Sequence, residues 1–135
     1  MLIDTNVWSE LSRPRPEPRV ADWMRRHFGD CILSAIVLGE MRYGIALAEG
    51  ARRTFLVAFH DDLLSRLDGR IAPFDDTAAA VWGPLRARLK LSGKLIGERD
   101  MFIAAHALAL DVPLVTHNVG EMQRTGATIV DPWTD

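Results

Sequence analysis

Short apolar runs and longer stretches with helical spacing alternate along the whole chain. "MLID" predicts a buried strand and "TNVWSEL" the helix after it. "SRPRPEPR" then interrupts, because its prolines lack the N–H and the free φ that a helix interior needs. From Val20, "VADWMRRHF" has helical spacing and stops at Gly29. "DCILSA" predicts a second strand, with Ser34 placed to cap the helix "AIVLGEMRYGIALAEG". "RRTFLVAFHDDLLSRL" predicts another amphipathic helix, "RIAPF" a strand, and "DDTAAAVWGPLRARLKL" a helix kinked by Pro84. "GERDMFIAAHALAL" predicts a helix rich in Ala and Leu, and "VPLVTHN" and "ATIVDP" the last two strands. Apolar strands separated by helices belong to a parallel sheet covered on both faces. The expected fold is therefore α/β, a three-layer α/β/α sandwich around a central, mostly parallel sheet of about five strands.

Composition narrows this picture. With 135 residues, 48% of them apolar, the chain can bury one core, and a single domain over residues 1–135 is expected. The proline segment reads as a structured loop rather than a boundary. A net charge of -2 and a pI near 6.1 argue against wrapping by nucleic acid through bulk charge, and leave room for a local basic patch. The lone Cys31 cannot form an intrachain disulfide, which points to a reducing compartment. The start lacks the basic leader and long apolar stretch of a signal peptide, and no window approaches the roughly 18 apolar residues of a spanning helix. A cytoplasmic protein with no membrane partner is expected.

Three acids fall where acids do not belong. On a wheel stepping about 100° per residue, Ile36, Leu47, Glu40, Gly44, Val37, Ala48 and Met41 occupy one half-circle in that order. Glu40 thus lies inside the apolar arc, away from Arg42 and Glu49. Burying an ionised carboxylate without a partner costs several kcal/mol, so something positive must meet it. Asp100 heads an apolar stripe with Ile103, Ala104 and Ala107, in the first turn of a helix beginning near Gly97, where the dipole favours its charge. Glu98 and Arg99 are expected to face water. Asp4 stands at the carboxyl end of a central strand, where open parallel sheets place their ligands. "VTHN" brings Thr116 and Asn118 to the same rim.

Each acid has a plainer reading: Asp4 as a helix cap, Glu40 paired with a buried arginine, Asp100 as a first-turn dipole residue. Three together in one cleft call for a shared divalent cation. Oxygen donors without a His or Cys cluster suit Mg²⁺ or Mn²⁺ rather than zinc. The four histidines show no ligand spacing, and His117 is expected to point away from the rim. The four tryptophans read as packing residues, and the Asp61–Asp62 and Asp75–Asp76 pairs as solvated or capping acids. Arg86, Arg88, Lys90 and Lys94 form a run without an acid between Thr77 and Gly97. Such a run is commonly an exposed helix face; beside an acidic cleft it can hold a phosphate backbone.

The stretches "LIDTNVWSEL", "SAIVLGEMRYGI", "ERDMFIAAHAL" and "LVTHNVGEM", in that order and spacing, resemble the PIN-domain ribonucleases, specifically the VapC-like toxins of type II toxin–antitoxin pairs. The closing "VDPW" is similar too. This resemblance implies a PIN-like fold, divalent-metal-dependent hydrolysis of RNA, a homodimer and a small cognate antitoxin. By position, Asp4, Glu40 and Asp100 match the family's acids, with Asp4 and Asp100 as direct metal ligands and Glu40 holding the ion through water or orienting the attacking water. Asn118 stands where many relatives carry a fourth acid, and Glu121 is the residue able to replace it. Thr5, Asn6, Thr116 and Glu121 support the site. A phosphotransfer protein with Asp4 as nucleophile lacks its second acid, because Asn6 stands there. A PIN nuclease of RNA processing, and a non-catalytic acid cleft binding an arginine-bearing partner, are the remaining alternatives.

Overall fold

The computed structural model describes residues 1–135. Five short strands carry the sheet: β1 (Leu2–Ile3), β2 (Leu33–Ser34), β3 (Ile71–Ala72), β4 (Leu114–Val115) and β5 (Ile129–Val130). β1 pairs with β4, β4 with β5 and β2 with β3, all in parallel. A parallel bridge from Leu2 to Ile32 joins the two groups, giving the order β3-β2-β1-β4-β5. The chain moves outward from β1 through β2 and β3, then returns to the other side of β1 as β4 and β5. The boundary between β1 and β4 is where the strand order reverses, the place open parallel sheets reserve for ligands.

The regular strands are shorter than the apolar runs, because polar residues at their ends start the next helix. Asp4 stops β1 and caps α1 (Thr5–Leu11). Ser34 stops β2 and caps α3 (Ala35–Leu47), accepting from the Ile36 N–H at 3.1 Å. Between them, α2 (Pro18–His27) starts at a proline, which costs nothing in a first turn where the N–H has no intrahelical partner. Next come α4 (Gly50–Leu67) and α5 (Asp76–Leu91), which is capped by Asp75 and continues past Pro84 as one element. α6 (Glu98–Leu110) precedes β4. The four-residue α7 (Val119–Met122) and a 3-10 turn at Gln123–Thr125 complete the set, both too short to leave a period in the sequence.

Leu2, Ile3, Leu33, Leu114 and Val115 are fully buried. Successive strand residues point to opposite faces, so both faces of the sheet are covered and the three-layer sandwich holds. α6 is the most buried helix: Met101, Ile103, Ala104, Ala105, His106 and Ala107 all lie inside. The stripe expected on α3 is only partly realised. Val37 in its first turn is buried, but Leu47, placed in the apolar arc by the wheel, is 65% exposed. A wheel treats the helix as facing one wall throughout, whereas α3 is buried near β2 and loses cover toward its end. No helix is long and apolar enough to cross a membrane.

Candidate functional site

Asp4 serves as both cap and site residue. It is fully buried; its Oδ1 accepts the Thr5 N–H at 2.7 Å, and its Oδ2 accepts the Thr116 hydroxyl at 2.8 Å and Asn6 Nδ2 at 3.3 Å. Its own N–H donates to the Val115 carbonyl at 2.9 Å, so it is pinned to β4 as well as β1. Thr5 passes the order on, donating its hydroxyl to Glu40 Oε1 at 2.8 Å. Glu40 lies on α3, half-buried, as its place on the wheel predicts. Asp100 lies in the first turn of α6, whose N-cap is Gly97. Asn118 donates Nδ2 to Asp100 Oδ2 at 2.9 Å and to Glu121 Oε2 at 3.3 Å. Its N–H donates to Thr116 Oγ1 at 3.1 Å. The structure thus brings Asp4, Thr5, Asn6, Glu40, Asp100, Thr116, Asn118 and Glu121 into one network, at the carboxyl ends of β1 and β4.

The centre of that network is a residue expected in water. Arg99 spans all three acids: Nη2 donates to Asp4 Oδ1 at 2.5 Å, Nε to Glu40 and Nη1 to Asp100. On the helix it points about 100° away from Asp100, which is why the period assigns it to solvent. Its side chain is long enough to reach back over the cleft, where three carboxylates replace the water it gives up. Burial alone would lower the basicity of Arg99, but the charges of Asp4 and Glu40 and their hydrogen bonds reverse that and raise it. Burial also pushes the Asp100 carboxyl up; Arg99 opposes this, while Asp4 and Glu121 add to it. The requirement for a positive partner at Glu40 is readable in the sequence; which arginine supplies it is not.

The cleft above the acids is open, about 680 Å³ in volume. His117 is on its wall, contrary to the expectation that it points away. Its ring stacks on Trp133 with centroids 4.2 Å apart, and Nδ1 lies 3.2 Å from Asp131 Oδ1. The His117 N–H donates to Asn6 Oδ1 at 3.2 Å. Trp133, read as a packing residue, is therefore also a cleft residue. The basic run is less free than its sequence implies. Arg86 pairs with Glu98 at 3.2 Å and lies over the Trp82 ring. Arg88 donates to the Arg124 and Thr125 carbonyls at 3.3 and 3.1 Å. Lys90 and Lys94 are exposed and form no ion pair, which leaves them as the available cations of the run.

The donor set is all hard oxygen, which fits a Mg²⁺-type ion and disfavours zinc. Three carboxylates already share one positive group, each on a different nitrogen of it. With the guanidinium between them, however, no three acid, imidazole or thiol groups are gathered closely enough to hold a metal ion. The chemistry fits, provided that Arg99 moves.

The family model described as "PIN domain" matches residues 1–127. The chain is similar to the VapC ribonuclease Y4jK of Sinorhizobium fredii, 37% identical over 98% of this chain and 97% of that one. It is similar to Toxin FitB of Neisseria gonorrhoeae, 34% identical over 100% of this chain and 99% of that one. Among solved structures, FitAcB from Neisseria gonorrhoeae superposes with a TM-score of 0.90 at 34% identity, covering 98% of this chain and 97% of the other.

Proposed function

The chain belongs to the PIN-domain family as a ribonuclease of the toxin–antitoxin type, and from that premise we propose that RNA is cut in the cleft where β1 and β4 end. The observation that carries this is the convergence of Asp4, Glu40 and Asp100, from three separate parts of the fold, on the three nitrogens of one guanidinium. These acids would hold a divalent ion, Mg²⁺ or Mn²⁺, with Asp4 and Asp100 as the ligating pair. When bound, the ion supplies neutralisation of the charge that builds on the phosphate and makes a water more acidic.

The chain's own residues do the rest. Thr5 and Thr116 fix the two Asp4 oxygens, and Thr5 also holds Glu40, so two acids are oriented through one residue. Glu40 orients the attacking water. Asn118 holds Asp100 by one oxygen, and Glu121 adds the negative charge that the Asn118 amide does not carry. The open cleft admits a single strand, and Lys90 and Lys94 are the cations free to meet its phosphates. An antitoxin protein is the partner, as the VapBC and FitAB complexes among its structural relatives support; the chain acts as a homodimer in the cytoplasm, where the unpaired thiol of Cys31 is at home.

Cleavage of total RNA by antitoxin-free protein, with and without EDTA, tests this reading. Asp4→Asn and Asp100→Asn should each lower cleavage by about a hundredfold or more, and EDTA should stop the parent. Cleavage that survives EDTA, or an Asp100→Asn protein as fast as the parent, would sink the assignment. A cleft that only binds guanidinium groups predicts no cleavage at all.

A further inference from the structure

We infer that Arg99 is a built-in competitor for the divalent ion, its guanidinium occupying the point between Asp4, Glu40 and Asp100 until the ion displaces it. The inference rests on the reading of the cleft as a metal-dependent nuclease site and adds a step to it. Three observations carry it. All three donor nitrogens of one guanidinium are used, one on each acid, so the group fills the shared point rather than pairing with a single neighbour. The acids it touches are the proposed metal-holding set, and as they stand around the guanidinium no three are gathered closely enough to hold an ion. The side chain is also able to leave: it is 37% exposed and opens onto the 680 Å³ cleft, whereas Asp4 is fully buried and fixed by four donors, Thr5, Thr116, Asn6 and Arg99 itself.

The exchange is one of cation for cation. Buried carboxylates are costly without a positive partner, so a free site with three acids and nothing between them is a poor state for the chain. Arg99 supplies the charge that keeps the acids together and correctly turned. It also means that the ion gains only the difference between its own contacts and those of the guanidinium. The apparent affinity for metal is lower than the donor set would give alone, and the site is loaded only when the ion is abundant. Because Arg99 adjoins Asp100, the displaced guanidinium stays tethered at the cleft and returns when the ion leaves.

Mn²⁺ binding, followed by the electron spin resonance signal of the free ion, tests this on the full chain without reference to activity. Arg99→Gln should bind Mn²⁺ about tenfold or more tightly than the parent, with Arg99→Lys between them, since an ammonium cannot span three acids. In the parent protein, the Arg99 Nε–H should give a slowly exchanging ¹⁵N–¹H signal in EDTA that is lost on adding Mg²⁺. This second measurement decides the matter if Arg99→Gln does not fold. Equal or weaker Mn²⁺ binding by folded Arg99→Gln, an Arg99 signal unmoved by Mg²⁺, or no Mn²⁺ binding by any of the proteins would overturn the inference. The nuclease reading fails separately: tightened Mn²⁺ binding without EDTA-sensitive cleavage would sink that reading and leave the competitor standing.

Discussion

Asp4 and His60 are both buried, yet they are treated in opposite ways. Each Asp4 oxygen is bonded, by Thr5 and Arg99 on one side and Thr116 and Asn6 on the other. Neither ring nitrogen of His60 has a partner, nor does Trp8 Nε1 nearby. His60 and Trp8 line a groove of about 270 Å³ between α1, α3 and α4, together with the apolar Met41, Ile45, Leu56 and Phe59 and the polar Ser9, Ser12, Arg13 and Arg52. At the strand ends both Asp4 oxygens are thus fully bonded, whereas the helix groove holds buried polar atoms with no partner. The sign of a mutation should differ accordingly: removing a polar group costs stability in the first region and adds stability in the second.

The largest effect is expected at Asp4. Asp4→Ala removes a helix cap, leaves the Thr116 hydroxyl without its acceptor and takes one of three acceptors from the Arg99 guanidinium, so urea denaturation should show a loss of about 3 kcal/mol. A loss under about 1 kcal/mol would mean that the network is looser than its distances imply. His60→Leu should move the other way, raising stability by about 1 kcal/mol, because a group with no hydrogen bonds is exchanged for one that needs none. A folded His60→Leu protein that is less stable than its parent would erase the contrast.

Titration sharpens the same comparison. Burial lowers the His60 pKa, with Arg42 adding to the effect, and burial also lowers that of His106. The unfolded chain therefore takes up protons at these rings more readily than the folded one. Their contribution is present above about pH 6.5 and is lost as pH falls below it. Melting temperature should drop between pH 7 and 5, and drop less in His60→Leu; equal slopes would exclude His60 as a cause. The smallest expected effect is chemical. Burial pushes the Cys31 thiol up to about 11, so iodoacetamide at pH 8 should modify it only after denaturant is added. Rapid labelling of the native protein would show that the core beneath β2 opens.

Much of this is readable in the amino-acid sequence alone. Short apolar runs mark every strand, and helical spacing marks the six longer helices, each with a period long enough to see. Glu40 and Asp100 are legible as acids on the wrong face, and Asp4 as an acid at a strand end. α7 escapes notice since four residues carry no period. Arg99 escapes for another reason: a wheel records where Cα–Cβ bonds point, not how far a guanidinium can reach. His117 and Trp133 are joined by a stack between a strand end and a turn sixteen residues on, which local spacing does not register.

The parallel pairing of β1 with β4 has a consequence for the time at which the protein becomes dangerous. Asp4 is held by Thr116 and Val115, more than a hundred residues further along. A chain emerging from the ribosome can already pair β1 with β2 through Leu2 and Ile32, but Asp4 gains its Val115 and Thr116 partners only once β4 has been made. The network around Asp4 therefore closes late, by pairing across the longest sequence separation between neighbouring strands, and whatever chemistry it performs waits for most of the chain's own synthesis.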